Sequence, residues 1–371
     1  MSDASVSDAA VSDAAVSDAA VGDAAVGDAA VSDAGECGLK VVALGGGHGL
    51  AVSLAALRQL TAHITAVVTV ADDGGSSGRI RSQLPVLPPG DLRMALSALA
   101  GGAPGAAPEW TEAFQHRLGG SGDLAGHPVG NLLLTGLMDS LGDPIAALDL
   151  VGALLRCTGR VLPMSCEPLD LVARVVDASG AERTVRGQHN VAIAPGAVQT
   201  ASLLPPDARA CPQALSAIAD ADVVVLGPGS WYSSVVPHLL LPDLLDALRR
   251  TSARIVVTLN LVPQAGETDG FSAAKHVQVL RRYAPGLHID TVLADGGAVA
   301  DSVGLAEAAA QCGAELVLTS VAAHDDPARH DPFLLADAYR AVFARPPAPT
   351  TLAVPALTSR AGTLVREPSW P

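Results

Sequence analysis

Short continuous apolar runs alternate along the chain with stretches in which leucines recur at helical spacing. The first run, Leu39-Lys40-Val41-Val42-Ala43-Leu44, ends in glycines and reads as a buried strand. A helix follows over residues 50–60, where Leu50, Leu54 and Leu57 share one face. Residues 64–70 are rich in β-branched side chains, as in a central parallel strand. The same alternation predicts strands at residues 223–226, 254–260, 288–293 and 315–318, with helical segments between them. The fold class predicted is α/β, a parallel sheet with helices on both faces. Residues 169–176 and 183–193, joined at Ser179-Gly180, alternate polar and apolar instead, which predicts a small antiparallel hairpin insertion near residues 160–195.

Composition divides the chain further. Residues 1–36 repeat Val-Ser-Asp-Ala-Ala and Val-Gly-Asp-Ala-Ala, a period of five that matches neither a helix face nor a strand. With so few large apolar groups the segment is expected to be a disordered acidic tail. One α/β domain is expected over residues 37–345, and a Pro-rich tail over 346–371. The net charge of -15 is uneven, since eight of the 38 acidic residues lie at or before Glu36, where there is no Lys or Arg. The remaining 30 acidic and 23 basic side chains argue against a nucleic-acid partner, which needs a basic face. Aromatic residues make up only 3%, so the core must be aliphatic. Cys37, Cys157, Cys166, Cys211 and Cys312 are scattered and odd in number, and read as reduced thiols. No apolar run reaches the length of a membrane span, and the acidic N-terminus does not resemble a signal peptide. A cytoplasmic location is expected.

The candidate chemistry gathers at the ends of the predicted strands. After the first comes Gly45-Gly46-Gly47-His48-Gly49, a turn through which a backbone can approach phosphate at a helix N-terminus. Leu50 and Val52 break the GxGxxG dinucleotide pattern, and no GxxxxGK[ST] is present. The second strand runs into Asp72-Asp73-Gly74-Gly75-Ser76-Ser77-Gly78-Arg79. There Asp72 and Asp73 are candidates for a ribose hydroxyl or for Mg2+ carried by a nucleotide ligand, and Gly74, Ser76, Ser77 and Arg79 for an anion nest. Asp91 reads as a helix N-cap, and Arg93, a cation at a helix start, calls for a nearby anion. His127 is a candidate general acid or phosphate contact, or a loop histidine with neither role, and Asn131 a cap or ligand contact. Gly227, Gly229 and Ser230 repeat the glycine and hydroxyl pattern after a later strand, without a GxSxG elbow. Asn260, Gln264 and Thr268 offer polar groups for a base or sugar, and Phe271 a ring for stacking.

In this order and combination, GGGHGL, VTVADDGGSSGRIR, PPGDLR, FQHRL, GNLLL, GPGSWYSSVVP, QAGETDGF and Arg329-His330-Asp331-Pro332 closely resemble the gluconeogenesis factor family (YvcK type) of CofD-like proteins. Many members have Thr where His48 stands, and a Tyr-containing segment of the family has no counterpart between Leu293 and Leu305. The resemblance implies a Rossmann-like fold and a UDP-sugar ligand, notably UDP-N-acetylglucosamine. It further implies regulation of cell shape and peptidoglycan synthesis during growth on gluconeogenic carbon, through a cell-wall or regulatory protein partner, with a homo-oligomer as a further expectation. Arg329 joins the candidate ligand-binding residues on this ground alone. Cousins in the superfamily are magnesium-dependent 2-phospho-L-lactate transferases, so a phospho-group transferase is the alternative. A nicotinamide oxidoreductase is disfavoured by the broken fingerprint. No residue pair forms a convincing nucleophile and base, which favours the regulator.

Overall fold

The computed structural model describes residues 38–100, 108–177, 179–264 and 266–345, so both expected tails lie outside the described residues. Ten strands are described: β1 (Val41–Gly45), β2 (Ile64–Val68), β3 (Arg160–Pro163), β4 (Asp170–Val176), β5 (Glu182–Arg186), β6 (Ala197–Leu204), β7 (Val223–Leu226), β8 (Arg254–Thr258), β9 (Thr291–Asp295) and β10 (Glu315–Thr319). Seven form one sheet in the order β10-β9-β8-β7-β1-β2-β3, every pair parallel. In β1, β7 and β9 every residue is buried, which requires cover on both sheet faces and explains their unbroken apolar runs. The α/β class read from the sequence is the fold observed.

From β1 the chain moves outward through β2 and β3, then returns to β1's other side at β7 and proceeds outward to β10. The crevice beyond the C-terminal ends of β1 and β7 is therefore a topological switch point, where open α/β sheets bind ligands. The helices beside it are α1 (Gly47–Leu57), α2 (Gly75–Arg81), α3 (Pro89–Ala100), α4 (Pro108–Gln115) and α5 (Val129–Leu141). Leu50, Leu54 and Leu57 of α1 are buried, as their spacing predicted. The last described helix, Pro332–Phe343, starts on an Asp331 cap and packs on α1. Its fully buried Tyr339 hydroxyl joins Ser53 Oγ of α1 at 2.9 Å and Thr258 Oγ1 of β8 at 3.0 Å.

The predicted hairpin is a three-stranded antiparallel sheet, β5-β4-β6. Its second arm stops at Arg186, where Gly187 turns the chain at φ 99° into the short helix Gln188–Ala192. The sequence reading missed β6, whose Gln199, Thr200 and Ser202 dilute the apolar alternation. It also missed β3, a four-residue edge strand ending in Pro163, a position where proline costs no ladder bond. No helix among the described residues is long and apolar enough to cross a membrane.

Candidate functional site

β1 delivers the chain into the glycine turn. Gly46 is extended and forms the N-cap of α1 with no side chain of its own to cap it, so the first-turn amides are met from elsewhere: Asp91 takes the N–H of Gly47. Close approach dictates the glycines here. A Cβ at Gly46 would stand 2.5 Å from Thr69 Cγ2 and closer still to Asp91 Oδ2. One at Gly49 would run into the Pro228 carbonyl oxygen and lie 2.5 Å from Gly229 Cα. The turns after β1 and β7 are thus in direct contact, while His48 is exposed at the mouth.

Asp91 corrects the capping assignment. α3 begins at Pro89, so Asp91 lies inside the first turn, and its carboxylate crosses to accept the N–H of Gly47. Burial and the neighbouring Asp72 push it up to about 7, against the opposing pull of Gly47 N–H and Arg93. Asp91 Oδ2 is buried without a hydrogen-bond partner. Asp72 is raised as well, chiefly by burial, although Gly74 N–H donates to its Oδ1 at 2.9 Å and Ser77 also bonds it. Asp73 turns elsewhere: its Oδ1 accepts the His189 N–H at 2.8 Å, and its Oδ2 fills the space beside Gly187. Asp72 therefore has a carboxylate neighbour on each side: Asp73 raises it, and it in turn raises Asp91. Among the described residues no cluster of three or more His, Cys, Asp or Glu side chains converges on a cation position. Two carboxylates that act on one another, one with an orphaned oxygen, still suit Mg2+ when phosphate and water complete its shell.

Four side chains form a polar chain between α2, α3 and α5. Arg93 Nε donates to Asn131 Oδ1 at 2.9 Å, Asn131 Nδ2 to Ser76 Oγ at 2.9 Å, and Ser76 Oγ meets His127 Nδ1 at 2.7 Å. Asn131 is therefore not the cap of α5, which is Pro128, but the link between Arg93 and Ser76. Burial and the nearby Arg79 guanidinium hold His127 below its ordinary value, in the neutral form. The sequence reading placed Arg79 on an anion, but it donates to the Ala125 carbonyl at 2.9 Å and shapes the loop before α5. Ser77 Oγ accepts the Gly90 N–H at 3.1 Å and ties α2 to α3.

Across the crevice, Asn260 holds the Gly229 backbone from both sides, accepting its N–H at 2.8 Å and donating to its carbonyl at 2.7 Å. Asn260 Nδ2 also donates to Gln264 Oε1 at 3.0 Å, so these two amides shape this wall of the crevice. Gly227 has φ 76°. The Ser230 carbonyl accepts the Ser234 N–H at 2.8 Å and opens a π-helical turn, Trp231–Val235. Thr268 is fully buried and accepts the Gln264 N–H at 2.8 Å. Phe271, the candidate stacking ring, is half-buried and meets Tyr232 and His276 edge-on, with centroids 6.5 and 5.5 Å apart. Arg329 pairs with Asp325 at 2.7 Å on the surface. It is the next residue, buried His330, that reaches the Leu259 carbonyl at the end of β8.

Glu267 was not among the candidates. Its Oε2 accepts the Tyr232 N–H at 3.0 Å, Oε1 is buried and unpartnered, and burial raises its proton affinity. An acid in a Gly-Glu-Thr-Asp-Gly loop reads as solvated, and the sequence carried no sign of its burial. The small sheet reaches both walls of the crevice. His189 of its helix holds Asp73, and the Ala192 carbonyl lies directly over Gly266.

Residues 41–328 match the family described as 2-phospho-L-lactate transferase CofD, and every turn described above falls inside that match or at its border. The chain belongs to the CofD family. This CofD-family chain is similar to the putative gluconeogenesis factor of Mycobacterium tuberculosis (strain H37Rv), with 50% identity over 330 residues, 85% of this chain and 95% of the relative. It is 39% identical to the gluconeogenesis factor of Listeria monocytogenes over 254 residues, covering 68% and 76% of the two chains. Its fold is similar to the crystal structure of a UPF0052 family member from Bacillus halodurans, with a TM-score of 0.73, 34% identity, and coverage of 82% and 99%. The family resemblance read from the motifs is thereby met.

Proposed function

We propose that this CofD-family chain is a cytoplasmic sensor of a nucleoside diphosphate sugar, UDP-N-acetylglucosamine, and that ligand binding alters its contacts with a protein partner in cell-wall synthesis during growth on gluconeogenic carbon. One observation carries this reading. The α1 N-terminus, where only the Gly47 amide is taken, by Asp91, opens at the β1/β7 switch point beside Asp72 and the Gly229 turn, which suits a diphosphate and its Mg2+. In that arrangement the other first-turn amides of α1 bind phosphate, while Asp72 and Asp91 hold the cation. Asn260, Gln264 and Thr268 keep the far wall rigid. Bound Mg2+ would supply charge neutralisation of the diphosphate.

The second reading is a magnesium-dependent phospho-group transferase, favoured by the Ser76–His127 contact beside the carboxylate pair. The sensor is preferred because Ser76 Oγ also takes the Asn131 amide, and that network buries the imidazole as a structural partner. Titration calorimetry with UDP-N-acetylglucosamine, with and without Mg2+, tests the proposal. Binding strengthened by Mg2+ and without turnover is expected. No heat of binding, together with product from a nucleotide-activated phospholactyl donor and a deazaflavin acceptor, would replace the sensor by the transferase.

A further inference from the structure

Two cysteines meet at the base of the small sheet. Cys166 lies in the loop from β3 to β4, and Cys211 is the N-cap residue of the helix Pro212–Ala219. The Cys211 N–H donates to the Met164 carbonyl at 3.0 Å, which holds the two segments side by side, and the two thiols are close enough to act on one another's protons. Everything between them is the small sheet and its helix, so this pair spans the two stems through which that unit joins the main sheet. The unit itself bears on the crevice. His189 holds Asp73, Ala192 covers Gly266, and Asp170 pairs with Arg81 at 2.8 Å while Arg81 donates to the Asp72 carbonyl at 3.1 Å. The stem touches the end of β2 as well, where the Leu169 N–H donates to the Val70 carbonyl at 3.2 Å.

We propose that Cys166 and Cys211 are a redox-active pair, and that their disulfide, formed by exchange with a low-molecular-weight disulfide, locks the small sheet onto the ligand crevice. Cys211 is buried, and Cys166, the amides of Ala214 and Gln213 and the Arg160 guanidinium favour its thiolate over the opposing cost of burial; as a thiol it points at Gln213 Oε1, 3.5 Å away. Cys166 is only half-buried and stands where a small disulfide can reach it. In the first step Cys166 sulphur attacks one sulphur of the small disulfide and passes its proton to Cys211. A mixed disulfide forms, and one small thiolate leaves. In the second step Cys211 sulphur attacks the Cys166 sulphur, and its proton goes with the departing second thiol. Two cysteines are oxidised to one disulfide and one small disulfide is reduced to two thiols. The other described thiols differ. Burial raises Cys157 and Cys312, and neither has a second thiol among the described residues to take its proton, whereas Cys166, raised as well, has Cys211; Cys157 donates instead to the Leu96 carbonyl at 3.2 Å.

The effect on ligand rests on the crevice being the sugar-nucleotide site, but the cross-link does not. The test treats the full chain with oxidised glutathione, maps the cysteines by mass spectrometry, and measures hydrogen exchange over residues 170–204. A Cys166–Cys211 link is expected, with exchange in the small sheet slowed on the order of tenfold and UDP-N-acetylglucosamine released more slowly. Cys211→Ser is expected to stop at a slowly formed glutathione adduct on Cys166, and Cys166→Ser to leave Cys211 unmodified. Recovery of both cysteines as free thiols, separate adducts on each, or unchanged exchange in the cross-linked protein would overturn the proposal. A link that forms and slows exchange in a protein binding no sugar nucleotide would remove the proposed ligand and leave the redox pair standing.

Discussion

Asp91 gives the sharpest test of the site. Its proton is held from the ordinary 3.8 up to about 7, while in the unfolded chain it leaves near 3.8. Between those pH values the folded state binds more protons, so stability falls as pH rises, by about 1.4 kcal/mol per pH unit and about 4 kcal/mol in all. Below 3.8 both states are protonated and the stability is fully present. Asp72, raised by the same burial, adds in the same direction. Asp91→Asn keeps an oxygen for the Gly47 N–H and leaves no charge to bury. The variant is expected to match the parent within about 1 kcal/mol at pH 4 and to exceed it by about 2–4 kcal/mol at pH 8, while losing Mg2+-dependent ligand binding. Urea unfolding at pH 4, 5, 6, 7 and 8, followed by fluorescence of the three tryptophans, measures this. A flat parental profile over that range, or a variant less stable than the parent at pH 8, would refute the assignment of Asp91 as a strained buried acid.

Three other perturbations probe the same architecture. Gly49→Ala places a methyl group 2.5 Å from Gly229 Cα, so it should destabilise the fold by about 1–3 kcal/mol in urea unfolding. By prising the two turns apart it should also weaken ligand binding about tenfold or more, as read by calorimetry. Arg93→Ala breaks the bond to Asn131 at 2.9 Å beside the carboxylate pair, and should cost about 1.5–3 kcal/mol of ligand affinity with folding retained. Tyr339→Phe strips the Ser53 and Thr258 hydroxyls of their shared partner, and should lower stability by about 1–3 kcal/mol with ligand affinity unchanged.

Strands buried on both faces announce themselves as apolar runs, so β1, β7 and β8 were legible from side chains alone. β3 and β6 were not, because one is four residues at an edge and the other shows water half of its residues. The turns that carry the chemistry were legible for a similar reason: glycines cluster where backbone meets backbone, as at Gly46 and Gly49. What those turns do with their polar side chains was not. Asn260, Gln264, Arg79 and Thr268 look like ligand contacts in one dimension, yet each satisfies a backbone or neighbouring group in the fold. Asp91 and Glu267 acquire their character from burial by residues distant in the chain, and Asp91 reads as a cap in the sequence because helix starts blur by a residue or two.

The position of β1 has a consequence for the order in which the molecule is made. Its partner β2 leaves the ribosome soon after it, but its other partner, β7, follows some 180 residues later. Tyr339, which joins α1 to β8, emerges later still. Until then the nascent chain carries one wall of the crevice with an unpaired strand edge, a surface open to chaperones and to mispairing. A chain halted before β7 therefore exposes the glycine turn without the neighbour that shapes it, and ligand can stabilise only the finished product.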